Sequence, residues 1–319
     1  MGSEMSTSAG NSFLVPEELD GERLDKVLAA VLPQSRSYLQ KLLKEDHVFC
    51  TGRKVKAGTR VREGEEIFFD IPEKVVPDIL PEDIPLDILY EDDDLMVINK
   101  PKGMVVHPAP GHYTGTLVNA VLFHCGQNLS GINGVLRPGI VHRIDKDTTG
   151  SLLVCKNDLA HRSLAQQLKD HSIRREYRAI CRGVLKQDEM FIDKPIGRDP
   201  SDRLKMAVVP DGRSAQTNVR VIRRFPAYTE VRCILNTGRT HQIRVLMASV
   251  GYPLLGDPLY GISGRGGQRA AKEQTVKGQV LEGQCLHAEI LGFTHPRTGE
   301  YIETTAPLPE YYQKLLDVL

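Results

Sequence analysis

The stretch Arg137-Pro-Gly-Ile-Val-His-Arg-Ile-Asp-Lys-Asp-Thr-Thr-Gly-Ser-Leu-Leu-Val-Cys155 is the most informative part of this 319-residue chain. It places one carboxylate, Asp145, two residues after Arg143 and just before a turn. The apolar run at 151–155 that follows predicts a buried strand. A nearby positive charge offsets the cost of burying a carboxylate, so Asp145 can stay ionised in a dry pocket. Such an aspartate is suited to nucleophilic attack on carbon.

Two further segments complete a pattern. They are Arg174-Arg-Glu-Tyr-Arg-Ala179, and Thr237-Gly-Arg-Thr-His-Gln-Ile-Arg244 followed by Gly256-Asp-Pro-Leu-Tyr260. Together with the first stretch, in this order, they resemble the motifs of the RluA-type pseudouridine synthases. The resemblance extends from about residue 86 to residue 309 and implies an enzyme that isomerises uridine in RNA. An S4-like RNA-binding segment precedes it.

The charge of the chain is unevenly distributed, although its formal net charge is zero. Residues 36–62 hold eight basic residues and two acidic ones, and residues 198–244 hold ten basic and four acidic. Residues 78–94 hold eight acidic residues and no basic one. The neutral total therefore hides local basic segments, which an RNA-contacting surface needs.

Cysteine usage and hydropathy indicate the compartment. The six cysteines stand singly, without a C-x-x-C pair, and several lie in apolar runs. They are typical of small buried hydrophobes in a reducing environment rather than of disulfides or zinc ligands. No run approaches the roughly 20 apolar residues of a membrane span, and we find no signal-peptide pattern. We expect a cytoplasmic protein without a membrane partner, and we expect a monomer.

The sequence predicts four segments: a disordered tail at 1–12, an S4-like domain at 13–75, a linker at 76–86 and a catalytic domain at 87–319. In the S4-like domain, apolar spacing predicts a helix at 24–32 and a second helix after Ser35, a plausible N-cap. Short strands follow at 48–50, 53–56 and 66–71. The linker is rich in proline and acid, so we expect a semi-extended tether. The residues expected to contact RNA here are Arg36, Lys41, Lys44, Arg53 and Lys54.

The catalytic domain alternates strand-like and helical segments. A hairpin is predicted at 88–98, and strands at 151–155, 177–181, 218–224 and 228–235. Helices are predicted at 117–125, from a cap at Asp158 to about 169, and at 240–250 before Gly251. Residues 261–283 are expected to form a surface excursion. The fold class is therefore α+β, with a mixed, mostly antiparallel sheet of pseudouridine synthase type, preceded by the small α/β S4-like domain.

The resemblance implies roles for four residues. Asp145 matches the catalytic aspartate, which could attack C1′ of the uridine, attack C6 of its ring, or abstract the C2′ proton. Tyr177 matches the active-site tyrosine, whose ring stacks on the base. Arg244 matches the arginine that pairs with the aspartate, and Ile243 beside it would form an apolar floor under uracil.

Further residues are expected to bind the RNA. In the resembled family the pair matching His142 and Arg143 adjoins the RNA, and the arginine can fill the space left by the extracted base. Extraction is needed because C1′ and C6 are not reachable in a stacked strand. Arg198, Arg203 and Lys205 are expected to contact phosphates. The reaction is redox-neutral and hydrolyses nothing, so we expect neither a metal nor a cofactor.

Two other functions fit parts of the pattern. A protein kinase is rejected, because Asp145 is fourth rather than third in His-Arg-x-Asp and no D-F-G or Gly-rich loop exists. A non-catalytic S4-type RNA-binding protein predicts loss of the aspartate, tyrosine or arginine, and all three are present. We expect an RNA uridine isomerase acting on specific uridines of 23S ribosomal RNA, with transfer RNA as the alternative substrate.

Overall fold

The computed structural model describes residues 11–34, 36–50, 53–71, 79–108, 113–126, 129–130, 138–261 and 275–319, without the side chains of Ser37, Arg53 and Lys54. The chain divides into two compact units, Met1–Val76 and Pro77–Leu319. Across the described residues, no helix combines the length and the apolar character that crossing a membrane requires.

The first unit packs two helices on a small sheet. Its elements are β1 (Asn11–Leu14), α1 (Leu24–Val31), α2 (Arg36–Lys44), β2 (Val48–Cys50), β3 (Arg53–Lys54) and β4 (Glu66–Phe69). The strand order is β1-β4-β2-β3, and every pair is antiparallel. The apolar faces of both helices are buried in one core with Val48 and Ile67. The two predicted helices are therefore present, and the cap expected at Ser35 lies outside the described residues.

The boundary of the predicted tail was wrong by two residues. Asn11 and Ser12 pair with Phe69 and Phe68 as the start of β1, and Ser12 Oγ donates to Glu66 Oε1 at 2.8 Å. An edge strand is held by its backbone and needs no apolar side chain on its solvent side. The polar composition of these residues therefore did not reveal the strand.

The second unit is built on one large sheet. The strands of the second unit are β5 (Ile88–Glu91), β6 (Leu95–Lys100), β7 (Thr149–Cys155), β8 (Arg174–Arg182), β9 (Glu189–Arg198), β10 (Met206–Val208), β11 (Arg213–Arg224), β12 (Tyr228–Leu235), β13 (Thr275–Val276), β14 (Gln279–Val280), β15 (Leu286–Thr294) and β16 (Tyr301–Thr305). The order in the large sheet is β10-β9-β11-β12-β8-β15-β7-β6-β5, with β16 beside β15. Only the β15–β7 pair among these described strands is parallel. The predicted α+β class with a mixed, mostly antiparallel sheet is confirmed.

Among the described residues, four α-helices accompany this sheet: α3 (Leu117–Cys125), α4 (Asp158–Lys169), α5 (Gln242–Ser249) and α6 (Glu310–Val318). The cap predicted at Asp158 was wrong, because Asn157 accepts the hydrogen bond from the Ala160 N–H at 3.0 Å. Asn157 adopts an extended backbone and so can cap, whereas Asp158 already lies in the first helical turn. Helix α5 begins two residues later than predicted, since His241 has a left-handed φ of 55°.

The described part of the predicted linker packs on the second unit. Asn119 Nδ2 in α3 donates to the Leu80 carbonyl at 2.8 Å, and its own carbonyl accepts from the Glu82 N–H at 3.0 Å. The Ile79 side chain is buried in the main core. The expected tether was wrong for residues 79–86, because a single helix face supplies both the apolar and the polar partners that fix it.

The prediction of a surface excursion at 261–283 was wrong for its last residues, from 275 onwards. Strands β13 and β14 form a hairpin, and Val276 and Leu281 are buried against Tyr312 and Leu315 of α6. The short apolar residues in this Gly- and Lys-rich stretch have no clear period, so their partner helix could not be foreseen. Residues 262–274 lie outside the described part of the chain.

Strand β8 has two chemically different faces. Tyr177 and Ala179 are buried in the core that also holds Ile243 of α5. On the opposite face, Arg174 binds Glu176 and Glu303. Alternation along the strand therefore turns Tyr177 towards α5 and away from the ion pairs.

Candidate active site

A cavity of about 550 Å³ opens beside the turn that carries Asp145. Its described lining comes from residues 141–148 before β7, residues 168–177 around the start of β8, residues 235–244 leading into α5, and Leu286 of β15. The first three of these stretches overlap the three segments that the sequence singled out. The structure brings Asp145, Tyr177, Ile243 and Arg244 together in this one lining.

Asp145 is hydrogen-bonded to Arg244, which is itself fixed by a second carboxylate, Asp257. Arg244 Nη1 donates to Asp145 Oδ2 at 2.9 Å. The same guanidinium grips Asp257 in bidentate fashion, with Nε to Oδ2 at 2.7 Å and Nη2 to Oδ1 at 3.0 Å. Burial lowers the pKa of Arg244, but its hydrogen bonds and charge attraction to the two carboxylates outweigh this and raise it above its ordinary value. Arg244 is therefore a permanent cation.

Asp257 is fixed in turn by the backbone. Its side chain is fully buried, and its Oδ1 also accepts from the N–H groups of Leu259 and Tyr260 at 2.9 and 3.0 Å. The Tyr260 ring lies 5.2 Å below the Arg244 guanidinium. Such a bidentate, stacked arrangement fixes the plane of an arginine. One oxygen of Asp145 thus has a preset position.

The second oxygen of Asp145 faces His241. Asp145 Oδ1 lies 3.8 Å from His241 Nε2, which is beyond hydrogen-bond distance. His241 Nδ1 shares a 2.9 Å hydrogen bond with the Tyr260 hydroxyl, and that hydroxyl accepts from the Met206 N–H at 2.8 Å. Burial lowers the pKa of His241, while Asp145 opposes this. A neutral imidazole therefore stands beside the carboxylate.

Tyr177 and Ile243 form an apolar part of the cavity wall. Tyr177 is 8% exposed and Ile243 is 4% exposed, and both line the cavity. Burial raises the pKa of Tyr177, so its hydroxyl stays protonated at neutral pH. A flat ring and a branched aliphatic group next to a carboxylate form a site that suits an aromatic base.

The loop into α5 is positioned by a buried amide. Gln242 Oε1 accepts from the Thr237 hydroxyl at 2.8 Å and the Arg239 N–H at 2.9 Å. Its Nε2 donates to the Gln216 carbonyl and to Thr217 Oγ1, both at 3.0 Å. Because the amide is fully satisfied, it pins the loop to β11 and sets where α5 begins.

The turn after Asp145 is held by a buried lysine. Lys100 is fully buried, and its Nζ donates to the carbonyls of Pro101, Met104 and Lys146 at 2.8, 2.9 and 2.9 Å. The Lys146 carbonyl also accepts from the Gly103 N–H. Lys100 thereby fixes the backbone directly after Asp145.

His142 and Arg143 both line the cavity but differ in their surroundings. His142 Nε2 accepts from the Leu153 N–H at 2.9 Å, and burial, aided by the charge of Arg175, lowers the pKa of His142 to about 3. It is a neutral residue that braces the start of the turn against β7. Arg143 is exposed at the cavity mouth. Their RNA contacts stay predictions.

The other residues expected to bind RNA lie away from the described cavity lining. Arg198 Nη1 donates to the Arg203 carbonyl at 2.7 Å, and Lys205 Nζ lies 3.8 Å from Asp202. This loop leads into Met206, whose N–H binds Tyr260. The phosphate contacts expected of the loop stay predictions.

The basic face of α2 is exposed. Arg36 Nη2 lies 3.9 Å from Asp25, Lys41 Nζ lies 3.8 Å from Glu45, and Lys44 is also exposed. The side chains of Arg53 and Lys54 lie outside what the structure describes. The RNA contacts of all five residues stay predictions.

Sequence reasoning missed several residues of the site. His241 and Asp257 stand inside the quoted segments, but nothing in their spacing assigned them a role. Arg175, two residues before Tyr177, also lines the cavity. Its position on the Tyr177 face of β8 follows from strand alternation, which could have identified it.

One described group could offer ligand atoms to a metal. Asp92, Asp94 and His295 place such atoms within 4.8 Å of one another. Asp94 is already bound by Arg297 and by Asn157 Nδ2. The three residues are not part of the described cavity lining, so nothing links them to the site at Asp145.

Comparison with known proteins identifies the class. The RNA pseudouridylate synthase family model matches residues 94–249, and the S4 domain model matches residues 22–67. The chain is 50% identical over 304 residues to an uncharacterized RNA pseudouridine synthase, YlyB, of Bacillus subtilis, covering 95% of this chain and 96% of that one. It is 45% identical over 308 residues to ribosomal large subunit pseudouridine synthase D of Zymomonas mobilis, covering 95% of each.

The solved structures agree on the fold. Human RNA Pseudouridylate Synthase Domain Containing 1 superposes with a TM-score of 0.55 at 23% identity, covering 70% of this chain and 84% of that one. This chain belongs to the RNA pseudouridine synthase family and carries an N-terminal S4 domain. Its members are isomerases with RNA as substrate, so the predicted family, enzyme class and RNA partner are confirmed.

Proposed function

We propose that this protein converts specific uridines of 23S ribosomal RNA to pseudouridine. The observation that carries the proposal is the Asp145–Arg244 pair, which stands in a cavity walled by Tyr177 and Ile243. The ribosomal substrate is supported by the 45% identity to a ribosomal large subunit synthase over 95% of the chain. The protein would act as a monomer in the cytoplasm.

Asp145 is the proposed reactive group. Its Oδ2 is occupied by Arg244, so Oδ1 is the oxygen directed at the substrate. The carboxylate would attack C1′, attack C6, or take the C2′ proton, and the static geometry is compatible with each of these steps. In every case an ionised Asp145 is required, because a protonated carboxyl neither attacks carbon nor accepts a proton.

The walls would hold the base while its bond to the ribose is broken. Tyr177, protonated at neutral pH, offers a ring for stacking and a hydroxyl as a donor or acceptor. Ile243 would form the floor under uracil and keep water from Asp145. The uridine must leave its helix to arrive there, and Arg143 at the mouth would occupy the vacated space.

RNA binding outside the cavity is assigned to basic residues. The exposed face of α2 in the S4 domain, with Arg36, Lys41 and Lys44, would contact phosphates of structured RNA. The loop with Arg198 and Arg203 would add contacts in the second unit. Phosphate contacts make binding fall steeply with salt. RNA affinity that is unchanged across the physiological salt range would contradict this assignment.

Tritium release tests the proposal. Wild type, Asp145→Asn and Asp188→Asn would be incubated with [5-³H]uridine-labelled ribosomal and transfer RNA. Asp188 is a matched control, since its side chain is 83% exposed and the charge change is the same. We expect wild type and Asp188→Asn to release tritium from 23S RNA, and Asp145→Asn to be slower by at least about 10²-fold with unchanged RNA affinity.

Three other outcomes would revise the proposal. Release from transfer RNA alone would move the substrate to that class. Loss of binding together with activity in Asp145→Asn would make Asp145 a structural residue. No release from either RNA by wild type, despite tight binding, would leave a non-catalytic S4-type RNA-binding protein.

A further inference from the structure

Arg175 is a buried cation that the reaction described above does not use. It lies in β8 two residues before Tyr177, is 7% exposed and lines the cavity. Its Nε and Nη2 atoms are buried and have no hydrogen-bond partner among the described residues. Buried guanidinium groups normally meet carboxylates or carbonyls, since an unpaired buried charge is costly. Two unpaired donors of a cation that lines the cavity point to a ligand that supplies the partner.

Two other arginines of β8 show that this strand is not short of carboxylates. On the opposite face, Arg174 pairs with Glu176 and Glu303, and Arg178 pairs with Glu230. No described carboxylate reaches Arg175. The protein thus neutralises Arg174 and Arg178 and leaves a positive charge on the cavity face.

A second arginine adds to that charge. Arg239 lines the same cavity as Arg175. Burial lowers the pKa of Arg175, Tyr177 opposes this, and the positive charge of Arg239 lowers the pKa further. Arg239 Nε is engaged by the Ser214 carbonyl, a neutral partner. Two neighbouring cations without a shared carboxylate form a site that suits an anion.

The backbone makes room for this guanidinium. A Cβ on Gly238 would lie 2.5 Å from Arg175 Nη1. Any side chain at this position would therefore push Arg175 out of its place in the cavity wall. The glycine in the loop before α5 is thus matched to the arginine in β8.

The described lining of the cavity has a surplus of positive charge. One carboxylate, Asp145, is present among its described lining residues, and Arg244 already binds it. The permanently charged cations among the described lining residues are Arg143, Lys169, Arg175, Arg239 and Arg244. A neutral uracil ring does not use this surplus, whereas the phosphodiesters on either side of a uridine do.

We propose that Arg175 and Arg239 form a phosphate-binding subsite, in which the Arg175 guanidinium binds a phosphodiester next to the extracted uridine. The inference rests on the proposed action on RNA and states how the protein binds the backbone of the substrate strand. Arg175 is a substrate-binding residue that holds the strand while Asp145 acts on the nucleotide. It should affect KM far more than kcat.

The first test uses the protein alone and inorganic phosphate. Thermal unfolding would be followed in phosphate and in chloride at equal ionic strength for wild type, Arg175→Met and Arg220→Met. Arg220 is a control cation, with a 60% exposed side chain in a surface ion pair. We expect phosphate to raise Tm for wild type and Arg220→Met but not for Arg175→Met. Equal phosphate responses in all three proteins would overturn the subsite.

The second test uses an RNA hairpin that wild type modifies. A neutral methylphosphonate would replace the phosphodiester on the 5′ or 3′ side of the target uridine. For wild type, one replacement should raise KM at least about tenfold, the usual scale of a charge-assisted hydrogen bond, with little change in kcat. Arg175→Met should show the same rise with normal RNA and no further rise with the neutral linkage.

The outcomes separate this inference from the proposed function. If wild type modifies no RNA, the proposed function fails, while the phosphate test still decides the subsite. If wild type is active but the effects of Arg175→Met and the neutral linkages multiply, Arg175 does not bind that phosphate. A loss in kcat at unchanged KM would assign Arg175 to the chemical step and would equally overturn the proposal.

Discussion

Replacement of Asp257 by asparagine tests whether Arg244 is held in place by the carboxylate behind it. Asp257 Oδ1 accepts from Arg244 Nη2 and from two backbone N–H groups, and asparagine keeps an oxygen there. The other oxygen, Oδ2, accepts from Arg244 Nε at 2.7 Å. An amide NH₂ in that position sets donor against donor, and Arg244 must move to relieve it.

The size of the effect follows from these contacts. The variant loses one charge-assisted hydrogen bond and leaves a buried guanidinium N–H unpaired, a cost of about 3 kcal/mol. For a unit of this size that corresponds to a Tm lower by roughly 6–12 °C. Displacing Arg244 also moves Asp145 Oδ2, and a shift of about 1 Å in a reacting group can slow a reaction about 10²-fold.

Thermal unfolding and single-turnover tritium release would measure the two effects side by side. Asp188→Asn again serves as the control, because an exposed ion pair contributes only about 0–1 kcal/mol. An Asp257→Asn protein that melts with the wild type and isomerises at the wild-type rate would refute the reasoning. It would mean that Asp145 and the protein frame orient Arg244 without Asp257.

Three further predictions concern residues around the site. Lys100→Met should lower stability by about 3 kcal/mol and slow isomerisation, because three carbonyls lose their buried donor; urea unfolding and tritium release measure both. In the folded protein the pKa of His142 is about 3, below its ordinary 6.5. The contribution of His142 to stability is therefore complete above pH 6.5 and is lost as the pH falls towards 3. Urea unfolding from pH 4 to 8 should show His142→Gln lacking this slope of up to about 1.4 kcal/mol per pH unit. Glu230→Gln should cost about 2 kcal/mol in thermal unfolding without slowing isomerisation, because its partner Arg178 faces away from Tyr177.

Local patterns predicted the elements whose causes are local. The helix predicted at 117–125 matches α3, because its apolar residues and the Thr116–Asn119 capping box lie within a few positions of each other. The hairpin of β5 and β6 was likewise predicted from its acidic turn. Helix α6 and its partner hairpin were not predicted, since their contacts join residues 276 and 315, and no local period records such a pairing.

The residues of the site likewise divide into those that the sequence identified and those that it did not. The resemblance identified Asp145, Tyr177 and Arg244, and the structure places all three in one cavity lining. The role of Asp257 could not be predicted from the sequence, because it comes from a contact with Arg244, which lies 13 positions earlier and before the bend that follows α5. Pairings of this kind depend on where the chain turns in space, and an aspartate before a proline is equally typical of an ordinary turn.

Hydrogen-bond saturation separates the arginines that position the site from those that remain for the substrate. Arg244 uses Nε, Nη1 and Nη2 on two carboxylates of its own protein. It cannot turn to an RNA phosphate without releasing Asp145. Arg175 lines the same cavity as Arg244 and has two guanidinium nitrogens unpaired among the described residues. A positioning group gains nothing from spare donors, whereas a binding group needs them, so the two arginines are suited to different parts of one reaction.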